Sequence, residues 1–230
     1  MPDRELRIRV LLDVLDAIAG RTPNVLDLAC GTGTITRRVV DRFPAARSIG
    51  VDVDPVLLTI ASATFAGDDR VRIVHADLRD PAWVDVVPEQ VDAVLTATAL
   101  HWLAEDAVRR VYDDLAHLVR PGGVFAHAEV MPLAELPRLG GGLAEIERAR
   151  RVRQHGDTRV AWDAWWEKAG RDPALRSAMA ERQTVFTSSY PTKEFSPPSD
   201  WHIAALKEAC FTEVGVVWRS GTGAVVAAVR

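Results

Sequence analysis

The sequence predicts a doubly wound α/β fold: a mostly parallel seven-stranded sheet with helices on both faces, an antiparallel C-terminal strand and a helical cap insertion. Three observations predict it. Short apolar strands alternate with helical stripes over residues 20–130, two glycines follow the first strand at once, and the chain closes on two apolar runs flanking Arg219-Ser220-Gly221-Thr222-Gly223.

Residues 4–19 place Leu6, Val10, Leu11, Val14, Leu15 and Ile18 at spacings of three and four, an amphipathic entry helix that Gly20 ends. Asn24 to Leu28 is a short apolar strand running into Gly31 and Gly33, and Thr34 to Phe43 reads as a helix. The alternation continues with strand Ser48 to Val53, helix Pro55 to Phe65, strand Val71 to His75 and a short helix near Pro81 to Val86. Strand Val91 to Thr96 and helix Glu105 to Val119 follow, and after Pro121-Gly122-Gly123 comes strand Val124 to Val130. Strands separated by helices pair in parallel through right-handed crossovers. From Met131 to Pro198 the alternation breaks, and this stretch reads as a cap or lid insertion (131–198) within a single 1–230 domain. A helix from Asp200 to Ala209 and the hairpin of Val214 to Trp218 with Ala224 to Val229 complete the sheet.

With 230 residues, 48% hydrophobic and 26% charged, the chain has the composition of an ordinary soluble globular domain. Its net charge of -4 supplies no basic face for a nucleic acid, so a small-molecule partner is expected. The start carries no cationic-then-apolar leader and no apolar run approaches the roughly 20 residues that span a bilayer, so a cytoplasmic protein with no membrane partner is expected. Cys30 and Cys210 lie far apart, without histidines at metal spacing, and predict neither a disulfide nor a metal site.

Glycines after a first strand bring backbone N–H groups close to a ligand, and nucleotide, dinucleotide and nucleoside cofactors all use such loops. Asp27 discriminates among them: a buried carboxylate repels a pyrophosphate and attracts an ammonium group. Gly31-Thr32-Gly33-Thr34-Ile35-Thr36 also lacks the third glycine of a dinucleotide fingerprint, which disfavours an NAD-dependent oxidoreductase. Asp52 ends the second strand, where a carboxylate accepts both hydroxyls of a ribose, and Asp77 follows the third, where it accepts from an adenine amino group. Asp54, before Pro55, is the better helix cap of the pair Asp52 and Asp54.

Val25 to Gly33, Gly50-Val51-Asp52, His75-Ala76-Asp77-Leu78 and Arg120-Pro121-Gly122-Gly123 together resemble the ordered motifs of class I S-adenosylmethionine-dependent methyltransferases. The resemblance covers residues 20–130 and the last helix and hairpin, and implies a Rossmann-like sheet with S-adenosyl-L-methionine as cofactor and S-adenosyl-L-homocysteine as product. It assigns Asp27 and the backbone of Ala29, Gly31 and Gly33 to the methionine part, Asp52 and Val53 to the ribose, Asp77 and Leu78 to the adenine, and Thr96 and Ala97 to the surroundings of the sulfonium.

Base-methylating members carry Asn or Asp followed by two prolines after the fourth strand, where this chain reads Thr96-Ala97-Thr98-Ala99-Leu100-His101-Trp102. The segment is similar instead to the small-molecule subset, of quinone and aconitate type. The resemblance thus implies methyl transfer to oxygen, nitrogen or carbon of a small organic molecule, by in-line displacement that depends mainly on positioning. His101 is the candidate general base, since its ordinary pKa lies near operating pH; packing beside Trp102 is its other reading. His101, Trp102, Trp166 and Tyr190 are the candidate acceptor contacts. Trp162, Trp165 and Trp166 fall on one helical face. Arg148, Arg150, Arg151 and Arg153 read as a solvated face, unless one guanidinium turns inward to pair with a carboxylate or phosphate. The remaining alternative is a cofactor-binding protein of the same fold with a non-methylating or partner-subunit role.

Overall fold

In a computed structural model, residues 4–87, 89–156, 158–187 and 194–230 are described. The entry helix is α1 (Arg4–Ala19), and the alternating units are β1 (Asn24–Leu28), α2 (Thr34–Arg42), β2 (Arg47–Asp52), α3 (Pro55–Thr64), β3 (Val71–His75), β4 (Val91–Ala97), α4 (Glu105–Leu118) and β5 (Val119–Val130). Then come α5 (Pro137–His155), α6 (Thr158–Arg171), α7 (Arg176–Val185), α8 (Ser199–Glu208), β6 (Glu213–Ser220) and β7 (Gly223–Val229).

The seven strands run in the order β3-β2-β1-β4-β5-β7-β6, with β7 antiparallel to both neighbours and the other pairings parallel. Sequence order reverses between β1 and β4, so the crevice beyond their C-terminal ends is the topological switch point, where such sheets bind ligands. The sheet is covered on both faces. Leu28, Val94, Phe125, Val111 and Leu206 belong to one buried cluster and Leu11, Leu15, Val25, Val39 and Leu95 to the other, so successive strand residues alternate between two dry faces.

Several boundaries differ from expectation. The short helix expected near Pro81–Val86 is 3-10, and 3-10 turns also form at Leu100–Trp102 and Pro173–Leu175. Arg120-Pro121-Gly122-Gly123, expected to precede the strand, lies inside β5, because Val119 pairs with Val91 and the register then shifts before Ala93 meets Val124. Strand β2 stops at Asp52, one residue early, because Asp54 turns the chain: its Oδ1 accepts from Val56 N at 2.9 Å and Leu57 N at 3.3 Å, capping α3. The last hairpin turns on Gly221-Thr222 alone, with Gly221 at φ 54°.

Beyond β5, α7 packs on α3 and on α6. This places α6 and α7 beside the end of β2, across the crevice from α1.

Candidate active site

The crevice opens into a cavity of about 630 Å3 whose walls come from α1, from the loops after β1 to β4, and from α6 and α7. Its floor is acidic. Asp27 is completely buried at the end of β1, where its Oδ2 accepts from Thr36 N at 2.9 Å and Thr36 Oγ1 at 2.7 Å. Its Oδ1 is buried with no hydrogen-bond partner among the described residues. Burial pushes the carboxyl up to about 6 against the pull of the Thr36 bonds. An unpartnered buried carboxylate oxygen in a cavity wall is complementary to a cationic donor, which an ammonium group supplies.

Asp52 holds the glycine loop: its Oδ2 accepts from Gly31 N at 2.8 Å and its Oδ1 from Asp54 N at 2.8 Å. Each oxygen retains a lone pair, and burial raises this carboxyl as well. Asp77 is the most engaged of the three. Arg79 Nη2 lies 2.6 Å from its Oδ2 and Arg79 N donates to its Oδ1 at 2.9 Å. Burial pushes the Asp77 carboxyl up, but the Arg79 hydrogen bonds and charge outweigh that and hold it below its ordinary value.

Ala29, Gly31, Val53, Leu78 and Ala97 line the same cavity as the three acids. Gly33 and Thr96 do not. Gly33 has φ 77°, and a Cβ there would lie 2.5 Å from the Phe65 ring, so this glycine lets the loop close over α3. Thr96 is fully buried in β4 with its Oγ1 unpartnered. Two non-glycine residues, Ala29 (φ 56°) and Thr98 (φ 54°), take left-handed backbone just past the switch-point strands β1 and β4, the kind of strain that clusters at functional sites.

Trp102 and Trp166 line the cavity, whereas His101 sits behind Trp102 with the ring centroids 4.8 Å apart, and Tyr190 lies outside the described residues. The His101 Nδ1 is 2.8 Å from Oε2 of Glu129, a buried acid of β5. Burial pulls the imidazole down, but the hydrogen bond and charge of Glu129 outweigh that and hold it above its ordinary value. Burial also raises the Glu129 carboxyl, and His101 and His127 more than reverse this, leaving it well below the carboxylate range. Behind Glu129, Tyr112 Oη lies 2.7 Å from His202 Nδ1 and 3.4 Å from His127 Nδ1.

Several site residues escaped sequence reasoning. Arg7 is 3% exposed and lines the cavity with Arg4 and Ile8; it had a readable signal, a charge one turn before Leu11 on the apolar stripe of α1. Glu129 had a readable signal, an acid inside an apolar strand. Trp162 and Trp165 join Trp166 in the far wall, as their shared helical face allowed: Trp162 and Trp165 stack at 5.5 Å, and Trp166 meets each edge-on. Arg148, Arg150 and Arg153 are exposed. The guanidinium in the cavity wall beside these tryptophans is that of Arg182.

A switch-point cavity floored by strand-end acids around a glycine loop defines an α/β domain that binds a nucleoside-type ligand beyond its strand ends. Residues 25–123 match the family model described as methyltransferase domain. The chain is 37% identical over 123 residues to trans-aconitate 2-methyltransferase of Azoarcus sp. (strain BH72), a match covering 54% of this chain and 42% of that protein. It is 34% identical over 99 residues to demethylmenaquinone methyltransferase of Clavibacter sepedonicus, covering 43% of this chain and 38% of that one. These matches span less than half the length of the curated relatives. Among solved structures, human N-acetylserotonin methyltransferase in complex with SAM shares the fold, with a TM-score of 0.59 at 15% identity over 98% of this chain and 52% of that one. No described helix is long and apolar enough to cross a membrane, and no group of three His, Cys, Asp or Glu among the described residues could hold a metal ion.

Proposed function

We propose that this protein transfers a methyl group from S-adenosylmethionine to a small organic acceptor. The observation that carries the reading is the buried, unpartnered Oδ1 of Asp27 beside the Gly31 loop. When bound, the cofactor supplies a methyl group on a sulfonium, open to in-line displacement. Asp27 holds the ammonium of its methionine part, with Ala29 and Gly31 giving the close backbone and Gly33 closing the loop over α3, and Arg7 on the α1 wall pairs with the carboxylate. Asp52 accepts from the ribose hydroxyls beside Val53, and Asp77 and Leu78 face the adenine, sharing the Asp77 oxygens with Arg79. Thr96 and Ala97 shape the β4 end next to the methyl group. Trp102 and Trp166 belong to the acceptor side, with segment 131–198 as the cap that excludes water from the reacting atoms. A cytoplasmic enzyme acting on small molecules fits these assignments, and the relatives' names, an aconitate and a menaquinone precursor, support a small-molecule acceptor.

Glu129 gives His101 its role. With Nδ1–H donated to Glu129, the lone pair rests on Nε2; because the ring sits behind Trp102, a hydroxyl or amine acceptor must reach past that indole for Nε2 to take its proton as the methyl arrives. Methyl transfer from labelled S-adenosylmethionine across a panel of small acceptors tests the activity, and tight S-adenosylhomocysteine binding with no transfer to any acceptor would replace it with a binding-only role. His101→Ala is expected to lower kcat by about 10² or more and to erase the rise of rate with pH as the imidazole deprotonates, leaving cofactor affinity unchanged; activity within a few-fold of wild type removes the base. Arg7→Met is expected to weaken S-adenosylhomocysteine binding by roughly 10-fold or more. The same variant should bind 5′-methylthioadenosine, which lacks the amino-acid moiety, as wild type does; equal losses for both ligands would assign Arg7 a packing role.

A further inference from the structure

The far wall of the cavity holds a guanidinium fork, and we infer that the methyl acceptor is a planar, unsaturated molecule whose carboxylate pairs with Arg182. This rests on the cofactor reading given above and adds the chemical class of the acceptor. The segment matching the methyltransferase family model ends at residue 123, whereas Trp162, Trp165, Trp166, Arg182 and Phe186 all lie beyond it. The matched segment therefore holds the strand-end acids and the glycine loop, and the far wall lies outside it.

Arg182 is fixed from three sides. Its guanidinium carbon sits 3.9 Å from the ring centroid of Trp166 and 4.5 Å from that of Phe186, so both rings pack against the cation. Its Nε donates to Asp54 Oδ2 at 2.6 Å. The other oxygen of Asp54 caps α3 through Val56 and Leu57, which keeps this carboxylate from swinging round to the far edge of the guanidinium. No hydrogen bond to either terminal nitrogen of Arg182 occurs among the described residues, so the edge away from Asp54 keeps its donors. A rotationally locked, cavity-lining guanidinium edge is matched by a carboxylate in two-point pairing.

Beside it, the indoles of Trp162 and Trp165 lie 7° from parallel and Trp166 stands edge-on to both. Flat apolar faces next to a cationic edge fit a conjugated body ending in an acid group. Asp27 and Asp52 are given over to the ammonium and ribose, and Asp54 engages Arg182 through Nε alone, so an anion on this wall is left the terminal nitrogens.

The test uses the whole protein saturated with S-adenosylhomocysteine, titrated with cinnamate and trans-aconitate and with the corresponding methyl esters and primary amides. Quenching of the cavity tryptophans reports binding. The acids are expected to bind roughly 10-fold or more tighter than their neutral partners. In Arg182→Met this preference falls to within about threefold, and in Arg182→Lys it is intermediate, while S-adenosylhomocysteine affinity in calorimetry stays within about twofold of wild type in both. Acids and esters binding alike to the wild type, or no acid binding at all, overturns the inference without needing a variant that folds. An acid preference that survives Arg182→Met also overturns it, as does a loss confined to S-adenosylhomocysteine affinity, which would assign Arg182 to the cofactor. Failure of the wild type to bind S-adenosylhomocysteine overturns the cofactor reading and this inference together.

Discussion

Asp27→Asn is expected to remove S-adenosylhomocysteine binding while making the ligand-free protein more stable. Asparagine keeps the shape of the side chain and an oxygen for the Thr36 bonds. It places an NH2 where Oδ1 faces the ligand ammonium, setting donor against donor. Losing one partner of a desolvated charge pair costs about 3 kcal/mol or more, roughly 100-fold or more in affinity. The stability change has the opposite sign. The folded-state carboxyl titrates near 6 instead of its ordinary 3.8, so between these values the folded protein holds a proton that the unfolded chain has released. Stability therefore falls as pH rises through that window, and at pH 7.5 the ionised buried group destabilises by roughly 3 kcal/mol, which the amide relieves. In the wild type, S-adenosylhomocysteine affinity should decline about tenfold per unit below pH 6, as protonation of Asp27 removes the partner of the ammonium. A variant that binds S-adenosylhomocysteine within threefold of wild type by calorimetry would remove Asp27 from the site.

Below about pH 4 the protein is expected to lose stability steeply, by several kcal/mol, and the buried groups Glu129 and His202 are the cause. Burial, reinforced by His127, drops the His202 imidazole from its ordinary 6.5 to about 3. Between those values the unfolded chain takes a proton that the folded state refuses, so stability falls as pH falls. Glu129 acts in the same direction: its folded value is depressed, so the stability it contributes is present above about 4.5 and is lost as pH drops below that. Asp27 acts oppositely between 6 and 3.8 and offsets much of the His202 loss there. Urea unfolding across pH should then show a nearly level region down to about pH 4 followed by a steep fall. His202→Gln, neutral throughout, should shift that fall to lower pH, and in Asp27→Asn the loss should already begin near 6.5. An acid limb unchanged in His202→Gln would assign it to other groups.

The alternating strands and helices, the hairpin and the three strand-end acids were legible because each depends on signals within a few residues: a period of two or about 3.6, a glycine where φ turns positive, an aspartate closing a strand. The cap on α3 was equally local, with Asp54 directly before Pro55. Legibility failed where partners are distant in sequence. Arg7 is a charge on the apolar stripe of α1, one turn before Leu11, and only the packing of α1 against β4, β5 and β7 sets that end of the stripe at the cavity. Arg182 reaches Asp54 across 128 residues, and His101 reaches Glu129 across 28, through a right-handed crossover that sets β5 beside β4.

The sequence by itself thus determined the sheet, the switch point and the acidic floor, since a strand ending in aspartate before a glycine loop delivers its carboxylate to the same end of any parallel sheet. Tertiary structure decided which of those charges remain available. Asp27 keeps an unpartnered oxygen, Asp77 is taken up by Arg79, and His101 is tied to Glu129. The physical reason is that position along a strand follows from local periodicity, whereas the partner and proton affinity of a charge follow from whatever the fold brings within about 4 Å of it.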